Sequence, residues 1–257
     1  MRTTEFSQIL FESLQYSGND RHNINDETFA QFRDFASARM REVWESQEFP
    51  DLIRLTTFTA LTDTAGVTYF VPLATAGEVL GVFDKNPQIT SRALELKYEI
   101  YDLGTSVRVI LPSGLFTTGF YSYRTKFVPL TGTIWKATDV YYQNAQIYFD
   151  SGSATGTYVP VIGKPHSGDF YYCTISSTTA GSNPSNNPTQ WTKISIPYIF
   201  GNYMAWGIAA NFLISEGKIQ EGAGLEQKAE MMIAIEVDKY CRQQNQTRKI
   251  NFTNPYA

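Results

Sequence analysis

Residues 198–214 read YIFGNYMAWGIAANFLI, the longest stretch of the chain that has helical periodicity and no charged residue. Its apolar residues recur at steps of three and four, the spacing of one helix face. Two asparagines and two glycines interrupt it, and it falls short of the ~20 apolar residues that cross a bilayer. The stretch therefore predicts a helix buried inside a protein. Its stripe consists of Phe200, Tyr203, Met204, Gly207, Ile208 and Phe212.

A second helix is expected to follow, because Gly217 favours a helix end and helical spacing returns from about Gln220. Its stripe consists of Leu225, Ala229, Met232, Ile233, Glu236 and Tyr240. After residue 242 the chain is polar and contains three asparagines and a proline, so it is expected to leave the helix and extend. This predicted arm, which includes Ile250, Phe252, Pro255 and Tyr256, has little to bury alone and is expected to become ordered only on a partner.

The first 53 residues predict two more helices. Apolar residues recur at helical spacing in both, and Gly18 and Pro50 mark their ends. The stripes consist of Phe6, Ile9, Leu10 and Leu14, and of Phe29, Phe32, Ala36, Met40, Val43 and Trp44. Helices at both ends of the chain share a core only if the termini meet, which makes the middle of the chain an insertion.

The middle of the chain predicts strands. Residues 55–61 and 67–73 flank a turn sequence, and LELKYEIY at 94–101 alternates apolar and polar residues. From Ser151 to Trp191 the sequence changes to serine, threonine, glycine and asparagine with interspersed aromatic residues. We interpret this part as a small β-module with one long loop.

These patterns predict an α+β fold with a helical core formed by N- and C-terminal helices, an inserted β-rich region and an extended C-terminal arm. The expected parts are N-terminal helices at 1–53, a β-rich region at 54–131, the β-module at 132–196, a helical pair at 197–245 and the arm at 246–257.

Composition argues against several classes of function. The chain is 42% hydrophobic but only 18% charged, and its net charge of −4 does not favour a face that binds nucleic acid. Sixteen tyrosines suit extensive protein contacts, because tyrosine buries area and keeps a polar tip. A secretory signal pattern and a disulfide framework are both lacking, so synthesis in a reducing cytoplasm is expected.

No pattern in the sequence predicts an active site, so we expect no enzyme activity and no cofactor. His22 and His166 lie in polar turn sequences and are expected to be solvated, while Cys173 and Cys241 are expected to be inert. Metal-ligand spacings and Walker sequences do not occur. Carboxylates that could form a glycosidase pair are expected to be solvated instead. They are Asp63, Glu78, Asp84, Glu95, Glu99, Asp102, Asp139, Asp150 and Asp169.

The aromatic residues of the β-module allow two interpretations. Tyr158, Tyr171, Tyr172 and Trp191 lie among short polar residues, a combination that suits stacking on sugar rings. The same rings could fill the core of a small module that has few aliphatic side chains. The sequence leaves both roles open.

Two resemblances bear on function. Residues 137–197 resemble a chitin-binding-type carbohydrate module, through VYYQNAQIYF at 140–149, GDFYYC at 168–173 and NPTQWTKISIP at 187–197. The wider chain resembles the head-to-tail connector, or neck adaptor, proteins of tailed bacteriophages. This likeness rests on YEIYDLGTSVRVI at 98–110, YSYRTKFVPLTG at 121–132 and the step from WTKISIPYIF at 191–200 into the helical pair.

The adaptor resemblance implies a structural virion protein that forms a ring, usually dodecameric, between the portal and the tail. DNA would pass through the ring without specific binding. The C-terminal arm, with Ile250, Phe252, Pro255 and Tyr256, would insert between portal subunits or neighbouring copies. The implied partners are the portal protein, a tail or second neck protein and further copies of the chain, with no membrane. The alternative is a glycan-binding decoration or adhesion protein, or another tail or neck component.

Overall fold

The computed structural model describes residues 2–20, 24–46, 48–90, 92–104, 106–112, 117–153, 155–156 and 167–251, with the backbone alone at residues 240 and 243–251. This part of the chain is mixed α/β, with four helices and several sheets, which is consistent with the predicted α+β class. It divides into two compact units. The first unit joins Met1–Val43 to Pro129–Ala257, and the second consists of Trp44–Val128.

The four helices begin and end at residues that favour such boundaries. They are α1 (Phe6–Ser17), α2 (Asp26–Ser46), α3 (Gly201–Ser215) and α4 (Ile219–Asn251). Gly18 ends α1 with a φ of 75°, in the left-handed region that glycine adopts without strain. Before α2, the side-chain oxygen of Asn25 accepts a hydrogen bond from the N–H of Thr28 and so caps the helix.

Helix α3 is the buried helix of the first unit, as its uncharged sequence predicts. Nine of its fifteen residues are buried, among them Met204 and Ile208, which are inaccessible to solvent. Helices α1 and α4 both pack against α3. Phe32 of α2 contacts Phe212 of α3, with ring centroids 5.0 Å apart. A helix that is apolar all round needs such partners on several sides.

The strands of the described chain are short. They are β1 (Thr3–Thr4), β2 (Ile53–Thr59), β3 (Leu61–Thr62), β4 (Thr68–Phe70), β5 (Ala76–Phe83), β6 (Glu99–Asp102), β7 (Val107–Leu111), β8 (Thr118–Thr125), β9 (Thr133–Ile134), β10 (Gln146–Asp150), β11 (Gly168–Cys173), β12 (Trp191–Lys193) and β13 (Ile196–Pro197).

The first unit contains a four-stranded sheet of order β12-β11-β10-β9 and a two-stranded pair of β1 with β13. The strands β10, β11 and β12 are antiparallel, and β9 runs parallel to β10. Phe6 of α1 contacts Tyr148 of β10 and Phe170 of β11, with ring centroids 5.9 and 4.7 Å apart. The first turn of α1 and this sheet therefore share a core.

The second unit contains a three-stranded sheet, β2-β8-β5, and a four-stranded sheet, β3-β4-β7-β6. Its core includes Phe58 and Phe70, whose rings stack with centroids 4.4 Å apart. The predicted strand at 94–101 forms only in part, because its first half turns to β5. There the Leu96 N–H donates a hydrogen bond to the Val82 carbonyl, and the backbone of Glu95 forms an isolated antiparallel β-bridge with Phe83.

The two units do not follow the predicted division of the chain. The sequence predicts a separate β-module at 132–196, whereas the structure groups that segment with the helices. The aromatic contacts of Phe6 with the sheet account for this grouping.

The predicted arm also differs in the structure. The sequence predicts an extended chain from residue 246, but α4 continues to Asn251. Residues 243–249, QQNQTRK, contain several good helix formers and no proline or glycine, so the helix has no stop signal there.

Candidate functional site

Trp191, one of the residues predicted to bind glycan or to fill the module core, lies in the interior of the β-module. Only 5% of it is exposed, and its ring meets Tyr141 edge-on with centroids 5.6 Å apart. Trp135 and Phe149 belong to the same buried cluster. A ring in this position has no free face for a sugar, so Trp191 is a core residue.

Tyr171 and Tyr172 are half-buried neighbours on β11. Successive strand residues point to opposite faces, so the two rings do not form one stacking platform. Tyr171 packs against the buried cluster, and burial, assisted by the charges of Asp169 and Glu5, raises its pKa to about 12. Tyr158, the fourth predicted residue, lies outside the described residues.

The serine- and asparagine-rich loop that precedes Trp191 is organised by hydrogen bonds. Trp135 donates its indole N–H to the Ser182 carbonyl at 2.9 Å. The Asn183 side-chain oxygen accepts hydrogen bonds from the N–H groups of Ser185 and Asn186, both at 3.0 Å. The indole hydrogen bond therefore ties the loop to Trp135, beside β9.

Asp169 is a buried carboxylate that caps α1 from a distant part of the chain. The Phe6 N–H donates to Asp169 Oδ1 at 3.0 Å, and the Gly168 N–H donates to Ser7 Oγ at 3.0 Å. Lys193 Nζ lies 2.5 Å from Asp169 Oδ2. Burial raises the pKa of Asp169, while Lys193 and the Phe6 N–H act in the opposite direction. Both carboxylate oxygens are engaged inside the protein, which indicates a structural role.

The prediction of solvated carboxylates is wrong at Asp169 and Asp150, which are 2% and 0% exposed. Asp150 is the last residue of the buried strand β10, and its Oδ1 accepts a hydrogen bond from the Gly152 N–H at 2.9 Å in the turn that follows. The remaining candidates are partly or fully exposed. They are Asp63, Glu78, Asp84, Glu95, Glu99, Asp102 and Asp139.

Cys173 is buried and Cys241 is exposed, and neither is in a disulfide. Among the described residues, no group of three or more histidine, cysteine, aspartate or glutamate side chains is arranged to hold a metal ion. His22 and His166 lie outside the described residues.

Arg39 links three helices of the first unit. Its guanidinium hydrogen-bonds both carboxylate oxygens of Glu226 on α4 and donates to Asn211 Oδ1 on α3 at 2.7 Å. The Tyr203 hydroxyl donates to Glu42 Oε2 at 3.1 Å and accepts a longer bond from Arg39. Burial lowers the pKa of Arg39, but the hydrogen bonds with Glu226 and Tyr203 outweigh it and raise the pKa overall. The cluster is a partly buried structural ion pair.

The second unit carries an open groove of about 730 Å³, which we call the acidic groove. It is lined by Glu95, Leu96, Lys97, Tyr98, Glu99, Ile110, Leu111 and Pro112. Leu111 is buried and Leu96 and Tyr98 are half-buried, while Glu95 and Glu99 are exposed. The groove therefore combines an apolar floor with carboxylates at its rim.

Strand β6, which begins in this groove, is the outer strand of its sheet and pairs with β7 alone among the described strands. All four of its residues are exposed, including Ile100 and Tyr101 at 50% each. Exposed apolar side chains on an outer strand are unusual for a surface that meets only water.

Helix α4 has apolar side chains on both of its faces. Gly222 and Ala229 are buried, whereas Met231 and Ile235, one turn apart, are 51% and 41% exposed. The sequence stripe described only the inward side. The run MMIAI at 231–235 was the available signal, because five successive apolar residues extend beyond a single helix face.

The segment that follows Asp238 is basic. Residues 239–257, which we call the basic tail, contain Lys239, Arg242, Arg248 and Lys249 and no acidic residue. Of the predicted arm residues, Ile250 lies in the last turn of α4. The other three, Phe252, Pro255 and Tyr256, lie outside the described residues.

Within the described residues, no helix is both long and apolar enough to span a membrane. Comparison of the sequence with protein-family models and with curated proteins gives no match. The interpretation of function therefore rests on the surfaces of the chain itself.

Proposed function

We propose that this chain is a structural virion protein, a head-to-tail adaptor that joins the portal of a tailed bacteriophage to its tail. The observation that carries the proposal is the outward apolar face of α4, where Met231 and Ile235 remain about half exposed. Contact with further copies in a ring would bury these side chains. Such a face favours an assembling protein over an enzyme.

The arrangement of the first unit also supports the proposal. Segments from both ends of the chain meet there, through the packing of α1 on α3 and the Arg39–Glu226 ion pair. The proposed adaptor has its helical core at this place, with the β-rich parts inserted between the helices. In the virion this core would carry the contacts that close the ring.

Net charge is compatible with a channel for DNA. The chain carries 25 acidic and 21 basic residues, and like charge keeps DNA from adhering to a lumen during ejection. The proposed partners are accordingly the portal protein, a tail or second neck protein and further copies of the chain, while DNA passes without specific binding.

The glycan-binding alternative has less support. Trp191 is in the module core, and Tyr171 and Tyr172 point to opposite faces of β11. Among the described aromatic rings of the β-module, Tyr142 alone is mostly exposed, at 67%, whereas sugar binding by stacking generally needs more than one contact.

Electron microscopy of the purified chain, alone and mixed with the portal protein of its own phage, tests the adaptor proposal. We expect a ring of this chain that caps the portal. A chain shortened after Arg242 serves as the comparison, because all described side chains up to that residue are retained. It should keep its thermal midpoint and lose portal docking. A full-length chain that stays monomeric and ignores the portal would contradict the proposal.

A further inference from the structure

We propose that the acidic groove of one copy receives the basic tail of a neighbouring copy. The proposal rests on the self-association in the proposed function, but it does not depend on a portal. It assigns an occupant to the groove, which the adaptor proposal leaves unexplained, and a specific binding site to the tail.

The groove has the chemistry of a site for a basic segment with apolar side chains. Leu96, Tyr98 and Leu111 provide the apolar floor, and Tyr98 is fixed there because its hydroxyl donates to the Val79 carbonyl at 3.1 Å. Glu99 extends into solvent beside the floor, where it accepts a hydrogen bond from the Tyr101 hydroxyl at 3.2 Å. One lysine, Lys97, also lines the groove, so its net charge is negative.

Strand β6 adds a second means of binding. Because it pairs with β7 alone among the described strands, its outer edge offers backbone N–H and C=O groups to an incoming segment. Ile100 and Tyr101 are half exposed beside that edge. An occupant would therefore gain backbone hydrogen bonds and apolar contacts at the same place.

The basic tail complements this groove in charge and in apolar character. It carries four basic residues and no acidic one, and Phe252 and Tyr256 follow Arg248 and Lys249. In the proposed contact, the basic side chains lie at the Glu95 and Glu99 rim and the aromatic side chains lie on the apolar floor.

The tail is carried outward by α4. The helix has 33 residues, which corresponds to about 50 Å, and its described side chains after Val237 are all exposed. They are Asp238, Lys239, Cys241 and Arg242. The exposure of these four side chains is consistent with a contact between this part of α4 and another copy.

Site-specific crosslinking in the full-length chain tests the contact directly. Phe252 is replaced by the photocrosslinking residue p-benzoylphenylalanine, and unlabelled and ¹⁵N-labelled copies are mixed before irradiation. We expect crosslinks to peptides that span residues 95–112, with one partner labelled and the other unlabelled. Crosslinks that map elsewhere, or that form only within one copy, would overturn the proposal.

Charge reversal provides the second test, with sedimentation velocity of the full-length chain as the measurement. E95K/E99K should weaken self-association at least tenfold, and adding R248E/K249E to the same chain should restore it. The control is E45K/E48K, which changes net charge equally at two exposed glutamates outside the groove. The proposal would be overturned if E95K/E99K had no effect, or if E45K/E48K weakened self-association as much as E95K/E99K does. It would also be overturned if the wild-type chain never self-associated.

The outcome can be separated from that of the adaptor proposal. Both measurements use the chain without a portal, so a failure of portal docking leaves them unaffected. Conversely, a chain that caps the portal but gives no crosslink to residues 95–112 would refute the groove contact alone. Circular dichroism melts of each variant exclude loss of folding as the cause.

Discussion

A single carboxylate, Asp169, links the stability of the first unit to pH. Burial raises its pKa in the folded protein above that of an unfolded aspartate, ~3.9. The folded state therefore binds this proton more tightly. The contribution of the group to stability is fully present below the unfolded pKa and is lost as the pH rises through the folded pKa.

Asp169→Asn should remove this pH dependence while keeping an oxygen for the Phe6 N–H. We expect the wild type to gain stability relative to the variant as the pH is lowered from 7 toward 4, in urea unfolding followed at each pH. Asp169→Ala should cost about 1–3 kcal/mol at every pH, because the Phe6 N–H loses its acceptor. Asp139→Asn, at an exposed site, is the control. A constant difference between wild type and Asp169→Asn would refute the argument.

Trp191 and Tyr142 allow a buried and an exposed aromatic residue of the β-module to be compared. Trp191→Ala should lower the free energy of unfolding by about 3–5 kcal/mol, because it leaves a cavity in the aromatic cluster. Tyr142→Ala should change it by less than about 0.5 kcal/mol, because the ring is 67% exposed. Chemical denaturation measures both. Equal losses would show that the buried cluster does not depend on Trp191.

The sequence could not predict the burial of Asp169. Its partner Phe6 lies 163 residues away, and a Gly-Asp-Phe sequence is as compatible with a turn as with a buried strand. The role of Trp191 was ambiguous for a similar reason, since a tryptophan ahead of a strand suits a core and a sugar site alike. Exposure, which separates these roles, depends on contacts distant in sequence.

At the scale of elements, close packing of α3 on α4 depends on Gly222. A Cβ there would lie 2.5 Å from Ile214 Cγ1 and 3.0 Å from the Ala210 carbonyl oxygen. At Gly224, two residues later in the same helix, a Cβ would meet nothing within 4 Å. Substitution of Gly224 by alanine therefore tests helix propensity alone, whereas substitution of Gly222 also tests the packing between the two helices.

Gly222→Ala should destabilise the protein by about 1–3 kcal/mol, because the added methyl group overpacks the interface between the helices. Gly224→Ala should stabilise it by about 1 kcal/mol, the usual gain in helix propensity. Thermal unfolding by calorimetry distinguishes them by the sign of the change. If both substitutions stabilise, the helices are free to separate and the packing argument is wrong.

Most helices were predictable because their periodicity is local. The four stripes recur at helical spacing, and Gly18 supplies a recognisable end. Strand β6 was predicted too long, because alternation at 94–101 does not reveal that Leu96 pairs with β5. The end of α4 was placed too early, because the polar sequence 243–249 was taken as an arm although its residues favour helix.

At the scale of the whole molecule, the apolar outer face of α4 leads to a prediction about association between copies. M231K/I235K should weaken association between copies at least tenfold. Full burial of an apolar side chain contributes about 1.5–3 kcal/mol, and association would bury the exposed half of both Met231 and Ile235. Analytical ultracentrifugation measures the change. Lysines at exposed Thr138 and Thr179 of the same unit add the same charge and serve as the control.

Stability of the single chain should change little in M231K/I235K, since neither residue is buried. A chain that assembles normally with lysines at these positions would remove the observation on which the adaptor proposal depends. The sequence alone supplied the resemblance, but it did not identify this face or the acidic groove. The face and the groove are defined by which side of a helix or strand is exposed to solvent, and this depends on contacts distant in sequence.

The pairing of β1 with β13 has a consequence for synthesis on the ribosome. Thr3 and Thr4 emerge long before their partners Ile196 and Pro197. At ~5–20 residues per second, the nascent β1 segment waits roughly 10–40 s. The contiguous segment 44–128 can fold during that interval, whereas the apolar stripes of α1 and α2 stay without their final partners. We therefore expect the nascent chain to expose the apolar stripes of α1 and α2 until translation has passed α3.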